Sequence, residues 1–478
     1  MNKFVCNKNI SFADCELAIL RMAVDKAEAK IGKRIIDSEE IKQIIEIVEI
    51  FMKQKSVICY GGTAINNILP VEEQFYNKEI ELPDYDFFTP NALQYAKELA
   101  DVYYKKGFIE VEAKSGQHHG TYKVYVNFIP IADITFLPKE IFNSLKKDAI
   151  RVSGILYAPP NALRMSMYSE LSKPVGDISR WEKVLKRLTL LNKNYEITDT
   201  NCNHVQFQRK MENKDNQPKI FDIIRNTFID QGVVFFGGYA IHMYSKYMPS
   251  KTKKDFKSIA DFDVLSNDPE ATATIVKERL IDNNIKNVKI IKNKNVGEII
   301  SENYEVRIGK DTIAFIYKPL GCHSFNSIKI HGKQVKIASI DTMLSFYLAF
   351  LYTDRPYYNE FLDRILCTAK FLFEVQQKNR LEQKGLLKRF SITCYGHQHT
   401  IEEMRAEKTA KYKELKKTKN AKEMEEWFLN YKPTNPKETH TEEHKYLKNK
   451  SSKNSTRRNL KHKQKHRKTK KTSVFAMY

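Results

Sequence analysis

The chain reads Val57-Ile-Cys-Tyr-Gly-Gly-Thr-Ala-Ile65 and then, 22 residues after Gly62, Asp84-Tyr-Asp-Phe-Phe-Thr-Pro-Asn91. A short apolar run ending in two glycines reads as a strand that turns into a helix. Glycines at such a turn let backbone amides approach a phosphate closely, and the helix N-terminus favours negative charge. Thr63 can add a hydroxyl to a phosphate oxygen. Phe87 and Phe88 make Asp84-Tyr85-Asp86 the start of a second strand. Alternation along a strand puts Asp84 and Asp86 on one face, roughly 7 Å apart at their α-carbons. Two carboxylates so placed suit a hard divalent cation such as Mg²⁺, which prefers oxygen ligands and substrate phosphates. Asp133 is the lone acid in the apolar run Phe128 to Leu137. Burying an unpaired carboxylate is costly, so a metal or a base is expected to receive it. On a strand beside Asp84 and Asp86 it completes a two-metal site. One metal would hold a nucleoside triphosphate and the other would activate an attacking hydroxyl.

A second stretch repeats the first. Val233-Val-Phe-Phe-Gly-Gly-Tyr-Ala-Ile241 is followed by Asp261-Phe-Asp-Val-Leu-Ser-Asn-Asp268, which begins 23 residues after Gly238. The offset between copies drifts only from 176 (Gly62 to Gly238) through 177 (Asp84 to Asp261) to 179 (Ser166 to Ser345). The strand-rich Tyr122 to Leu137 has its counterpart in Tyr304 to Tyr317. Aligning Pro138 with Pro319 puts Ala314 opposite Asp133, and Tyr239 stands where Thr63 does. Asp311 is three residues off, which on a strand is the other face. The second copy is therefore expected to pack on the first and help hold a polymer without catalysing. Lys286, Lys289, Lys292 and Lys294 either line a groove for it or keep an exposed strand edge soluble.

At 478 residues with 42% hydrophobic content, 27 Phe and 25 Tyr, the chain has material for two or three domains with sizeable cores. Its formal charge of +22 calls for an anionic partner, nucleic acid first. Residues 441–478 carry 13 Lys and Arg against two Glu, half of that net charge. Arg457 to Lys471 has almost nothing apolar to bury and reads as disordered, a solubilising tail or an RNA-contacting arm. Met1 to Asn9 is polar where a signal peptide would be apolar, and the longest apolar run, Met343 to Tyr352, is too short to span a bilayer. Seven scattered cysteines read as reduced thiols in a cytosol-like compartment. Cys394, His397 and His399 lack a fourth ligand at metal-site spacing, so that stretch reads as a surface loop.

Gly61-Gly62-Thr63, Asp84-x-Asp86 and Asp133 together resemble the polymerase-β-like nucleotidyltransferases. The wording around them, Tyr60-Gly-Gly-Thr-Ala-Ile and Pro83-Asp-Tyr-Asp-Phe-Phe-Thr-Pro-Asn, is similar to the poly(A) polymerase catalytic subunits of large cytoplasmic DNA viruses, of the giant-virus, asfarvirus and poxvirus kind. The resemblance covers about residues 40–375. It implies an α/β (α+β) fold of two tandem nucleotidyltransferase-like domains with mixed sheets. The parts are a helical region at 1–54, a catalytic domain at 55–195, a degenerate one at 215–385, and a basic extension at 400–478, largely disordered from about 441. It also implies template-independent addition of AMP from ATP to an RNA 3′ end, with Mg²⁺ or Mn²⁺. Asp84 and Asp86 would bind both metals, Asp133 the metal nearer the RNA 3′-hydroxyl, and Gly61, Gly62 and Thr63 would cradle the triphosphate. Tyr168, Lys173 and Arg164 fall in the helical region where this fold places base-stacking and triphosphate contacts. No membrane partner is implied; the setting would be the host cytoplasm, at the viral factory, and the virion. A self-paired dimer would help a chain without a processivity subunit keep its RNA. The same site would also serve a uridylyl-, CCA-adding or oligoadenylate-synthesising enzyme, and a chain of another class would be an inactive RNA-binding scaffold.

Overall fold

Each copy of the glycine and aspartate pattern lies at the centre of its own eight-stranded mixed sheet. The computed structural model describes residues 11–207, 216–256 and 261–434, apart from the side chains of residues 34, 35 and 357. The basic run 441–478 lies outside them. The first sheet holds β1 (Ile58–Tyr60), β2 (Tyr85–Thr89), β3 (Val111–Ser115), β4 (Thr121–Val126), β5 (Ile129–Phe136), β6 (Ile150–Val152) and β7 (Ile155–Tyr157). The second holds β8 (Val234–Phe235), β9 (Phe262–Leu265), β10 (Val288–Asn293), β11 (Asn303–Ile308), β12 (Asp311–Tyr317), β13 (His323–Ile330) and β14 (Lys333–Ala338). Their shared strand orders are β3-β4-β5-β2-β1-β7-β6 and β10-β11-β12-β9-β8-β14-β13. The second order is the first one, strand for strand. Each sheet then gains one extra edge strand, at opposite ends: β15 (Cys394–Tyr395) beside β13, and β16 (Asn430–Tyr431) beside β3.

The helices follow the same duplication. Phe12–Ile36 and Glu39–Lys55 open the described chain. Ser11 caps the first of these, accepting from the Asp14 amide at 3.1 Å and donating to its carboxylate at 2.6 Å. Apolar residues at helical spacing, Ile41, Ile44, Val48 and Phe51, bury the second against the first sheet, and the Tyr103 hydroxyl donates to the Ile44 carbonyl at 2.6 Å. The equivalent helices Pro160–Leu171 and Ile340–Phe350 pack against each other, joining the two halves. Every residue of Ile340–Phe350 is buried, so it is largely apolar rather than striped, and its one charge, Asp341, is paired with Arg389 at 2.9 Å. No helix among the described residues is long and apolar enough to cross a membrane.

Cysteine usage differs from the expectation of reduced thiols. Cys202 is bonded to Cys367 and Cys322 to Cys394, while Cys59 is free and buried. The partners are 165 and 72 residues apart in sequence, so only the fold brings their α-carbons to 5.6 and 5.1 Å.

The chain after residue 400 returns to the first sheet. Helices Ile401–Thr418 and Ala421–Phe428 lead into β16, which pairs antiparallel with β3. The Ser115 amide donates to the Leu429 carbonyl at 3.0 Å, Lys97 pairs with Glu425 at 2.7 Å, and His119 packs on Trp427. This strap covers an otherwise open sheet edge. A chain ending at Thr418 is expected to lose hydrogen-exchange protection at the Ser115 amide while β1 and β2 keep theirs. Unchanged protection at Ser115 would show that the strap contributes nothing to the edge.

Candidate active site

The strand that carries Asp86 runs parallel to the one carrying Asp133, and the two residues are direct register partners. Tyr85 and Phe87 point into the core, leaving Asp84 and Asp86 on the opposite, accessible face, as alternation requires. All three carboxylates therefore gather at the centre of the first sheet. They repel one another and are partly desolvated. Burial first, then Asp84 and Asp133, push Asp86 up to about 7, and burial and Asp133 raise Asp84. Such a set of oxygen donors, held together against its own charge, fits divalent cations of the Mg²⁺ or Mn²⁺ kind.

A lysine answers part of this charge. Lys123 stands opposite Asp133 on β4 and forms an ion pair with it. Burial pulls the ammonium down, but the hydrogen bond and charge of Asp133 outweigh it, and Lys123 stays raised. Beneath the carboxylates the Tyr60 ring stacks on Phe88 with centroids 3.8 Å apart, and its hydroxyl meets Thr135 Oγ1 at 2.9 Å.

The glycine turn lies directly against this cluster. Gly61 has φ +73, a conformation that side chains rarely adopt, and a β-carbon there would sit 2.6 Å from Asp86 Oδ2. A β-carbon on Gly62 would lie 2.4 Å from the Tyr76 hydroxyl and 2.8 Å from the Arg187 guanidinium. Gly61 thus needs glycine for its backbone conformation, while Gly62 leaves room for the Tyr76 hydroxyl and the Arg187 guanidinium. Thr63 is used differently from the expectation of a phosphate contact. It is buried, and its hydroxyl donates to the Asp84 carbonyl at 2.6 Å, tying the turn to the aspartate strand.

Arg164 and Tyr168 also depart from their expected role at the nucleotide. Both are 0% exposed. The Arg164 guanidinium donates to Asn192 at 2.7 Å, to Asn161 at 2.6 Å and to the Tyr195 carbonyl, so it braces the helix pair 160–194 from inside. Burial lowers it to about 10. Tyr168 lies within hydrogen-bond reach of Asn192, at 3.5 Å. Lys173 runs towards the second half: its stem lies against Gly321, and its ammonium, lowered by burial, feels Glu170 and Glu298.

A cationic row lies nearer the aspartates. Arg180 is the N-cap of helix Trp181–Asn194, and Lys183 and Arg187 lie in its first two turns. Lys183 is lowered chiefly by Arg187 and is drawn back by Asp84, and Arg180 acts on Asp86. Arg187 donates to the Tyr76 hydroxyl at 2.6 Å and lies over the Phe75 ring at 4.9 Å. The spacing 180, 183, 187 was visible as one helical stripe. Tyr76, in an irregular loop, carries no sequence signal.

The second copy keeps the turn and loses the site. Asp263 is in register with Phe315, not with Ala314, which pairs with Phe262. The correction is one residue: Phe315 lies four residues before Pro319, whereas Asp133 lies five before Pro138. Either residue removes the third carboxylate. Asp263 crowds Gly237 as Asp86 crowds Gly61, with 2.0 Å to a β-carbon placed there. Burial and then Asp263 and Asp261 raise the Tyr347 hydroxyl, with Arg364 acting against them, so an aromatic residue and a guanidinium stand near this pair. Lys286, Lys289, Lys292 and Lys294 are exposed on or beside β10, the edge strand, where Lys292 pairs with Glu302 at 2.9 Å.

A glycine turn packed on paired aspartates in a mixed sheet, with a third acid on the parallel neighbour, is the arrangement that the motifs' resemblance implies. Residues 46–177 match the family described as poly(A) polymerase catalytic subunit, the same family that the motifs resemble. A proposed poly(A) polymerase catalytic subunit of African swine fever virus (strain Badajoz 1971 Vero-adapted) is 33% identical over 171 residues, 34% of this chain and 36% of that protein. One from Acanthamoeba polyphaga mimivirus is 31% identical over 186 residues, 38% of this chain and 31% of that protein. The matched stretch thus spans about a third of these relatives. The crystal structure of the Megavirus polyadenylate synthase shares the fold with a TM-score of 0.75 at 20% identity, over 93% of this chain and 92% of that one.

The raised Asp86 gives a pH-dependent test. Its ordinary value is 3.8 and its folded value about 7, so the folded state holds the proton more tightly. That contribution to stability is present at low pH and is lost as pH rises through about 7. A divalent cation restores it by neutralising the carboxylates. Mg²⁺ is therefore expected to raise the thermal midpoint more at about pH 8 than at about pH 5.5, a difference absent from Asp84→Asn/Asp86→Asn. An equal rise at both values would contradict the charge argument.

Proposed function

We propose that the chain is a poly(A) polymerase that adds AMP from ATP to RNA 3′ ends without a template. The observation that carries this reading is the register of Asp86 with Asp133, beside Asp84 and the glycine turn. Paired acids beside a glycine turn suit a triphosphate and an attacking hydroxyl, which is what supports the reading.

In the reaction the RNA 3′-oxygen attacks the α-phosphorus of ATP. The new phosphodiester forms as the bond to the β-phosphate breaks, and pyrophosphate leaves. Divalent cations held by Asp84, Asp86 and Asp133 would supply Lewis acidity, favouring the 3′-alkoxide and neutralising the leaving group. Gly61 and Gly62 leave room for the phosphates at the start of helix Gly61–Ile68. Arg187 and Lys183 meet the triphosphate charge, with Tyr76 holding the guanidinium over the turn. Lys123 holds the Asp133 side chain in place through their ion pair. The second half, lacking its third acid, serves RNA binding with the lysines of β10. The setting is the host cytoplasm.

Incubation of the purified chain with 5′-labelled RNA, Mg²⁺ or Mn²⁺ and each NTP singly should give a long ladder with ATP alone. Equal extension with UTP would point to a different terminal transferase, and no extension under any condition to a scaffold. Asp133→Ala is expected to lower extension at least about 100-fold, while Asp261→Ala retains most of it. Comparable loss from both would place the chemistry in both halves. Arg187→Ala should lower kcat/KM for ATP by roughly 10- to 100-fold, the size of one charge-assisted contact, with the fold unchanged by circular dichroism.

A further inference from the structure

Away from the aspartates, the loop that starts the C-terminal strap gathers a second set of metal-binding groups. His397, His399 and Glu403 each turn a ligand atom to one place, with all three atoms within 4.8 Å of one another. Cys394, which the sequence groups with the two histidines, is not available, being bonded to Cys322. Glu403 replaces it, and comes from the first turn of helix Ile401–Thr418.

The loop is held before any ligand arrives. Its entry, β15, is paired with β13 and fastened by the Cys322–Cys394 bond. Gly396 turns at φ +107, with Gly321 O only 2.2 Å from where a β-carbon would stand. Gln398 points inward, its Oε1 buried and 2.6 Å from a β-carbon placed on Gly321, while His397 and His399 on either side of it are exposed. Their rings lie 5.0 Å apart. Glu403 is oriented by the helix cap: its Oε2 accepts from the Thr400 amide at 2.8 Å while the Thr400 hydroxyl accepts from the Glu403 amide at 3.1 Å. The other oxygen, Oε1, is left facing His397 Nε2 at 3.2 Å. Backbone bonding of one carboxylate oxygen while the other faces two imidazoles is how outer contacts orient a metal ligand.

We propose that His397, His399 and Glu403 bind a zinc ion, with water completing a four-coordinate site. Two imidazoles and one carboxylate select zinc-like transition metals over Mg²⁺, which takes oxygen donors and stays with the aspartates. The site lies where the second sheet's edge passes into the strap that covers the first. A metal there fastens the N-terminus of the strap's first helix to β15.

The test uses the full chain, stripped of metal, with Co²⁺ as the spectroscopic stand-in and Zn²⁺ as competitor. One equivalent of Co²⁺ should develop the intense visible band of a four-coordinate site, and Zn²⁺ should abolish it. His397→Ala/His399→Ala should weaken Zn²⁺ binding more than about 100-fold. Glu403→Gln should weaken it about 10-fold or more, with helicity retained because glutamine still completes the cap. Absence of the band, or a band of equal strength and affinity in His397→Ala/His399→Ala, would overturn the proposal and leave a His397–Glu403 ion pair only. Neither variant touches the aspartates, so loss of metal here with RNA extension intact separates this site from the polymerase reading.

Discussion

Three carboxylates crowded on one face of a sheet cannot all stay ionised without help, and much of the first half is arranged around that fact. Asp86 and Asp133 face each other across parallel strands, so the register that builds the hydrophobic core also forces their charges together. Lys123 offsets part of the repulsion from the other neighbour of β5, and the row Arg180, Lys183 and Arg187 approaches from the helix above. The remaining deficit is what divalent cations and a triphosphate would meet in the proposed reaction. Glycine at 61 and 62 is a consequence: any side chain there would strike Asp86 or the Tyr76–Arg187 pair.

The duplication shows the same constraint removed. With Phe315 in register with Asp263, the second sheet has no acid at the position that Asp133 holds in the first, and aromatic side chains pack there. That half keeps the strand order of the first. It packs helix Ile340–Phe350 against Pro160–Leu171, and its edge strand β15 launches the strap that returns to the first sheet.

Much of this was legible in the residues. Alternation placed Asp84 and Asp86 on one face, the isolated acid in an apolar run marked Asp133, and a steady copy-to-copy offset marked the repeated sheet. What was hidden depended on contacts between distant segments. Aligning prolines put Ala314 where Phe315 stands, because Phe315 lies four residues before Pro319 and Asp133 five before Pro138, a difference that falls within the strands themselves. Arg164 and Tyr168 carry polar groups but face inward, and helical spacing alone does not say which neighbours satisfy them. Thr63 has the right hydroxyl, yet the Asp84 carbonyl reaches it first. The disulfides joined cysteines that no local spacing connects.

The central claim is that one half of the duplicated chain holds catalytic metal and the other does not. Mn²⁺ titration followed by electron paramagnetic resonance, with a non-hydrolysable ATP analogue present, tests it directly. The account predicts that Asp133→Asn loses the bound-Mn²⁺ signal while Asp263→Asn keeps it. A signal that survives Asp133→Asn and disappears with Asp263→Asn would contradict it.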